Sequence, residues 1–363
     1  MSNMVTKFAT QPESINFLRT ADSLYACDFR AISESMEYEI SAMWKYENLL
    51  PWIVSSQVVV VNEDSVGLKY FSRSKLIVLP KTNDSRISVF KRYEQGLDIK
   101  RLWVAIPHPD ADKFAADHDL ELNYSYSDFL IRNNKLRQKS LVGDKTPKWV
   151  LVESKEHINE LAKRKGFFKR TLGSGGFTVF DSGGVLTDKN FLKLYENDQK
   201  NWYFEDFVDG KSFSIQCYKY KQEDKVYLFG YSEQQLVEGK YFIGSHMLKL
   251  DQLRSNAFDQ LERIVIDLGS VLKGYEGFFG IDFIVDPAGK VNFLEANVRL
   301  TAATIPTLLF NKTNSTSAEY KEDLSVSELK DTDIILALDK INNNADVLRL
   351  SPAEIDVEQA HLY

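Results

Sequence analysis

The chain has 363 residues, which at about 150 residues per domain corresponds to two or three domains, and its 44 % hydrophobic and 12 % aromatic residues can bury sizeable cores. Lys and Arg number 45 against 52 Asp and Glu, a net charge of −7, so the chain lacks the basic surface that holding a nucleic-acid backbone needs. Two cysteines, Cys27 and Cys217, and five scattered histidines argue against a disulfide framework and a zinc site.

The opening residues, MSNMVTKFATQPESINF, lack the basic-then-apolar pattern of a signal peptide. The longest apolar run, Val58 to Val61, is far too short to cross a bilayer. A cytoplasmic protein without membrane contact is expected. Residues 34–50 read as an amphipathic helix, and residues 57–62, 75–79 and 101–106 as short buried strands ending at polar turns. Such alternation implies a small parallel α/β domain over residues 1–127. No Gly-x-Gly-x-x-Gly follows these strands, which argues against a dinucleotide site.

A second unit, residues 128–204, opens with a helix through FLIRNNKLRQKSL that Ser127 can cap. A strand at 149–152, a helix capped by Ser154, a strand at 166–170 and the loop TLGSGGF complete a compact α+β lobe. The third unit, residues 205–310, takes its strands from WYFEDFV, SFSIQCYKY and KVYLFGYS, then one helix over about 250–273. Two further strands, FFGIDFIV and KVNFLEA, are joined by the hairpin signal DPAG. Residues 311–363 begin with a polar stretch and read as a peripheral tail with one helical segment.

Some motifs fail on context. Asp209-Gly210-Lys211-Ser212 resembles the end of a P-loop, but Glu205 stands where that loop needs Gly, and a strand follows where a helix is required. His108-Pro109-Asp110 follows a buried strand instead of joining two helices.

The strongest chemical signal is the hairpin from Gly277 to Thr304. Asp282 lies near the start of one strand, with Glu295 and Asn297 near the end of the next, so an antiparallel hairpin brings all three together. Oxygen donors without His or Cys suit Mg²⁺, which takes its remaining ligands from water and phosphates. Arg299 continues the same face and suits a phosphoryl or carboxylate group. One such residue would read as an ordinary polar group on a wet face; four in this pattern do not. A second signal is Lys169 followed by Gly173, Ser174, Gly175 and Gly176, where backbone N–H groups can approach phosphate oxygens closely. A third is the strand end from Glu205 to Val208, whose main chain can pair with an adenine edge.

In this order and spacing the three signals resemble the ATP-grasp fold, in which two α+β lobes clamp ATP, here preceded by a small parallel α/β pre-ATP-grasp domain. The resemblance covers about residues 128–310. It implies that Lys135 and Lys169 meet the phosphates and that the loop from Gly173 to Gly176 is the flap over them. It also places Glu205 and Val208 at the adenine hinge, with Ile284 and Leu294 as the apolar floor. Asp282, Glu295 and Asn297 match the metal ligands, and Arg299 matches the Asn-x-Arg variant of carboxylate ligases, with Lys169 and Arg299 the catalytic pair. Where many members carry a ribose-binding Glu, this chain has Ser212; YSEQQLVEGKYFIG resembles a peptide-ligase element that would put Gln234 or Gln235 in the substrate pocket.

The implied activity is ATP-dependent ligation. A carboxylate is activated as an acyl phosphate and joined to an amine, with ATP and two Mg²⁺ ions (Mn²⁺ as a substitute), on amino acids or peptides, in a chain able to form a homodimer. A non-catalytic ATP-binding module and a small-molecule kinase are the alternatives on the same fold.

Overall fold

A computed structural model of the chain describes residues 99–311 apart from 174, 175 and 177, together with the strand segments 7–10, 23–26, 58–62, 75–79 and 317–321. In chain order the first elements are strands β1 (Lys7–Thr10), β2 (Ser23–Ala26), β3 (Val58–Asn62), β4 (Lys75–Leu79) and β5 (Arg101–Val104), helix α1 (Pro109–Asp117) and strand β6 (Glu121–Leu122). Strands β2 to β6 form a sheet in the order β4-β3-β2-β5-β6, parallel throughout. The three expected strands are present. Ser23–Ala26 and Glu121–Leu122 are too short for a hydrophobic pattern to reveal them, and the helix expected over 34–50 lies outside the described residues. The His108 side chain caps α1, accepting from Asp110 N at 3.3 Å, so the His-Pro-Asp tripeptide is a helix start after a strand. Phe114 and Ala111 then bury against Leu24, Leu102 and Val104.

The helix expected through FLIRNNKLRQKSL is two helices, α2 (Tyr126–Arg132) and α3 (Lys135–Val142). Ser125, not Ser127, caps α2, accepting from Asp128 N at 3.1 Å, and Asn134 caps α3, accepting from Arg137 N at 3.0 Å. Adjacent asparagines compete with helical hydrogen bonds and favour caps, which is why the chain breaks there.

The small lobe follows as β7 (Trp149–Leu151), α4 (Lys155–Leu161), β8 (Gly166–Arg170), β9 (Val179–Asp181), α5 (Lys189–Asn197) and β10 (Trp202–Asp206). Its antiparallel sheet has the order β7-β10-β8-β9. The strand read from WYFEDFV therefore lies inside this sheet, and the expected boundary at 204/205 falls within it. Strand β9 and helix α5 extend the lobe beyond the expected elements. An aromatic core holds it together, with Phe191 edge-to-face on Trp202 at 5.0 Å between centroids.

The large lobe contains β11 (Lys211–Lys219), β12 (Lys225–Val237), β13 (Tyr241–Leu248), α6 (Ser255–Asp267), α7 (Gly269–Leu272), β14 (Gly277–Val285), β15 (Val291–Asn297), α8 (Thr304–Phe310) and β16 (Ser317–Lys321). The sheet order is β15-β14-β11-β12-β13-β16, and β1 pairs in parallel with the start of β12. Strand β13 was hidden by its turn: Glu238 and Gly239 adopt φ of +53° and +69°, and Lys240 N donates to Val237 O at 3.1 Å, a tight hairpin connection. The single helix expected over 250–273 is broken between α6 and α7 at Leu268. The tail is not wholly peripheral, because Ser317–Lys321 pairs with β13. Ile106, Phe129 and Val142 share a core with the large-lobe residues Leu261, Ile264 and Phe293, so α2, α3 and the end of β5 are fastened to this lobe.

Candidate active site

The β14–β15 hairpin sets Asp282 opposite Glu295, but the next pair in register is Phe283 with Phe293. Leu294 is therefore the extra residue of a β-bulge. This explains how Phe293 and Ala296, three residues apart, both enter the core at 0 % and 3 % exposure. Leu294 and Glu295 remain half-buried outside that core, as does Ile284. Strict alternation would have put Leu294 and Glu295 on opposite faces.

Seven side chains meet around the hairpin. Asn297 Nδ2 donates to Asp282 Oδ2 at 2.9 Å and to Glu295 Oε1 at 3.2 Å. Arg299 Nη2 donates to Asn297 Oδ1 at 2.8 Å, and Lys135 Nζ lies 2.6 Å from Glu295 Oε2. Gln234 Nε2 donates to Asp282 Oδ1 at 3.1 Å, while its own carbonyl accepts from Ser212 Oγ at 2.6 Å. Ser212, at the expected ribose position, is thus committed to the residue that holds Asp282. Gln235 follows on the other face of β12.

Burial, and then the neighbouring Glu295, push the Asp282 carboxyl up to about 7. Burial acts the same way on Glu295, but Lys135, with Lys169 and Arg299 behind it, outweighs it and holds that carboxyl below its ordinary value. Burial also lowers the Arg299 guanidinium, opposed first by Glu295. Two facing carboxylates bridged by one amide suit a hard cation; a half-turn of the Asn297 amide would present its oxygen to the same point and would release Arg299 from it. Among the described residues no group of three or more His, Cys, Asp or Glu could hold a metal ion. Two carboxylates and one amide oxygen are a donor set of the kind Mg²⁺ takes, since it completes its shell with water and phosphate.

A second charged centre lies beside the first. Glu205, 2 % exposed, forms ion pairs with Lys169 through Oε1 and with Lys139 through Oε2. Burial lowers the Lys139 ammonium to about 8 against the pull of Glu205. Burial raises the Glu205 carboxyl, but Lys139 and then Lys169 overcome this and leave it below the usual range. Glu205 faces Trp149 on one side and Phe167 on the other, so its main chain is taken up by the small-lobe sheet. Val208, half-buried, lies beyond the strand end.

Lys135, Gly173, Glu295, Asn297 and Arg299 line one pocket, with Phe129, Leu130 and Leu172 as its apolar wall. Ser174 and Gly175 lie outside the described residues. Gly176 adopts φ +82°, and a Cβ there would approach Lys240 O to 2.1 Å, so Gly176 rests on the β12–β13 turn and no larger residue fits there. Lys139 was not among the expected site residues. Its signal is the buried stripe of α3, which consists of Lys135, Gln138, Lys139 and Val142, polar where a helix usually buries apolar side chains.

Residues 133–303 match the family model described as an ATP-grasp domain. A comparison with curated protein sequences gives no match. Among solved structures, the fold is similar to a biotin carboxylase from Campylobacter jejuni in complex with β,γ-ATP, at 14 % identity and a TM-score of 0.54, over 77 % of this chain and 66 % of that one. It is also similar to the biotin carboxylase domain of a 2-oxoglutarate carboxylase from Hydrogenobacter thermophilus, at 12 % identity and a TM-score of 0.52, over 77 % and 64 % of the two chains. A third is the carboxyaminoimidazole ribonucleotide synthase of Aspergillus clavatus complexed with ATP, at 14 % identity and a TM-score of 0.51, over 78 % and 72 %. The match spans just under two thirds of each of the two carboxylase chains. No helix among the described residues is long and apolar enough to cross a membrane. The hairpin, the paired lysines and both lobes fall largely within the segment that matches the ATP-grasp domain model, residues 133–303, and the fold around them is the ATP-grasp fold.

Proposed function

We propose that the chain is an ATP-dependent ligase that activates a carboxylate as an acyl phosphate and joins it to an amine, releasing ADP and phosphate. The observation that carries this reading is the convergence of Lys135, Glu295, Asn297 and Arg299 on one pocket that Gly173 also lines. Asp282, Glu295 and Asn297 would hold Mg²⁺, which when bound offsets negative charge on the phosphoryl oxygens.

The residues of the chain then divide the work. Lys135 and Lys169 exchange their carboxylate partners, Glu295 and Glu205, for phosphate oxygens. Arg299, 7 % exposed and braced by Asn297, orients the substrate carboxylate for attack on the γ-phosphorus as the bond to ADP breaks. Gly173, on the pocket wall, and Gly176, against the Lys240 carbonyl, bracket the loop that keeps water from the mixed anhydride. The amine next attacks the acyl carbon, phosphate leaves, and Arg299 steadies the oxyanion. Ile284 and Leu294 form the apolar floor under the adenine, Val208 its hinge, and Gln234, with Gln235 beside it, borders the substrate. The substrates are amino acids or peptides.

The test is phosphate release from ATP and Mg²⁺ across amino acids and small acids, singly and in pairs with amines. Release that needs both an acid and an amine, with a condensed product by mass spectrometry, is expected. A stable phosphorylated product from one substrate would replace the ligase with a kinase.

A further inference from the structure

β15, which carries Glu295 and Asn297, is the outermost strand of the large-lobe sheet. Its outer N–H and C=O groups have no strand to pair with, and buried ones left unpaired would be costly. Three side-chain amides take that place: Gln260 of α6 accepts from Val291 N at 2.9 Å at the start of the strand, and two more hold the end that carries the site. Gln138, fully buried on α3, accepts from Ala296 N at 2.8 Å and donates to Ala296 O at 2.6 Å. Asn133, in the break before α3, accepts from Val298 N at 2.9 Å and donates to Val298 O at 3.4 Å. Each amide also holds its own segment, Gln138 through Arg132 O at 2.8 Å and Asn133 through Phe129 O at 2.9 Å.

The two straps flank Asn297 on the strand and Lys135 in the chain. We infer that Asn133 and Gln138 are positioning residues: they fix the register of the metal-binding strand against the Lys135 helix, so that metal and phosphate are bound as one unit. This inference rests on the ATP–Mg²⁺ reading above. A helix merely packed on the strand could slide or tilt without breaking hydrogen bonds. Here any slip of β15 breaks two paired amide contacts at once, and Glu295, 2.6 Å from Lys135, would leave its partner. Gln138 does not line the pocket and acts through the Ala296 backbone, whereas Asn133 also lines the pocket, so Gln138 is the cleaner of the two probes.

The experiment measures ATP binding to the full-length chain by calorimetry, with and without saturating Mg²⁺, and takes the ratio of the two affinities. In Gln138→Leu and Asn133→Ala the Mg²⁺ enhancement should fall by about tenfold, the loss seen when groups that orient metal ligands are removed. Binding without Mg²⁺ and the far-ultraviolet circular dichroism should stay near wild type. A purely structural role would lower stability and leave the ratio unchanged, and an unchanged ratio in folded variants overturns the inference. If Gln138→Leu does not fold, Gln138→Met, which keeps the length and volume and removes both hydrogen bonds to Ala296, decides, because Asn133 lines the pocket itself. ATP binding by the wild type that is indifferent to Mg²⁺ would overturn the ATP–Mg²⁺ reading and the straps with it, whereas a Mg²⁺ effect that the variants keep overturns the straps only.

Discussion

Helices α3 and α6 both pack against β15, yet they bury opposite kinds of side chain. α6 buries Ala257, Leu261, Ile264 and Val265, a stripe at helical spacing that joins the large-lobe core. α3 buries Lys135, Gln138, Lys139 and Val142, an equivalent stripe in which three of four residues are polar, while Leu141 is left 37 % exposed. Burying an ammonium or an amide is costly unless each polar atom finds a partner. Each does: Glu295 for Lys135, the Ala296 backbone for Gln138 and Glu205 for Lys139. One helix stabilises the lobe, and the other places charge at a site.

The contrast is open to four substitutions, taken from the largest expected effect downward. Leu261→Ala should cost about 2–5 kcal/mol of stability in a urea titration, since it leaves a cavity in a packed core. ATP affinity per folded molecule should not change, and a parallel fall in affinity would mean that α6 serves the site as well. Lys135→Ala inverts the pattern. Loss of one charge-assisted hydrogen bond should weaken ATP binding by about tenfold or more, with a smaller stability change than Leu261→Ala.

Lys139→Met reads out in pH. Glu205 is held below the usual carboxylate range, so its ionised form stabilises the fold above that range, and the contribution is lost as pH falls through its folded value. Without Lys139, burial opposes ionisation with only Lys169 to counter it. The acid limb of the stability curve should move toward neutral pH, as followed by thermal unfolding in a pH series. A coincident acid limb would mean that Lys139 does not hold the Glu205 charge. Smallest of all, Leu141→Gln on the outward face of α3 should change stability by within about 0.5 kcal/mol.

Much of this was legible in the sequence, and the reasons are local. The buried strands Val58–Asn62 and Lys75–Leu79 show as apolar runs between turns, and the hairpin shows as Asp282, the DPAG turn and Glu295-x-Asn297. The illegible parts depend on distant partners. Leu294 joins the face of Glu295 only because of a bulge, which alternation cannot anticipate. Gln138 and Lys139 look like solvent-facing helix residues until Ala296 and Glu205 arrive from elsewhere in the chain. Ser212 was readable as a departure from the ribose-binding pattern, but its bond to Gln234 was not.

The most direct measurement is a calorimetric titration of wild type and Glu295→Ala with ATP in the presence of Mg²⁺, on samples of matched circular dichroism. Saturable binding by the wild type and loss of its Mg²⁺-dependent part in Glu295→Ala is the expected result. Equal Mg²⁺-dependent binding by the two proteins would contradict the assignment of Asp282, Glu295 and Asn297 as the metal site at the centre of the proposed ligase.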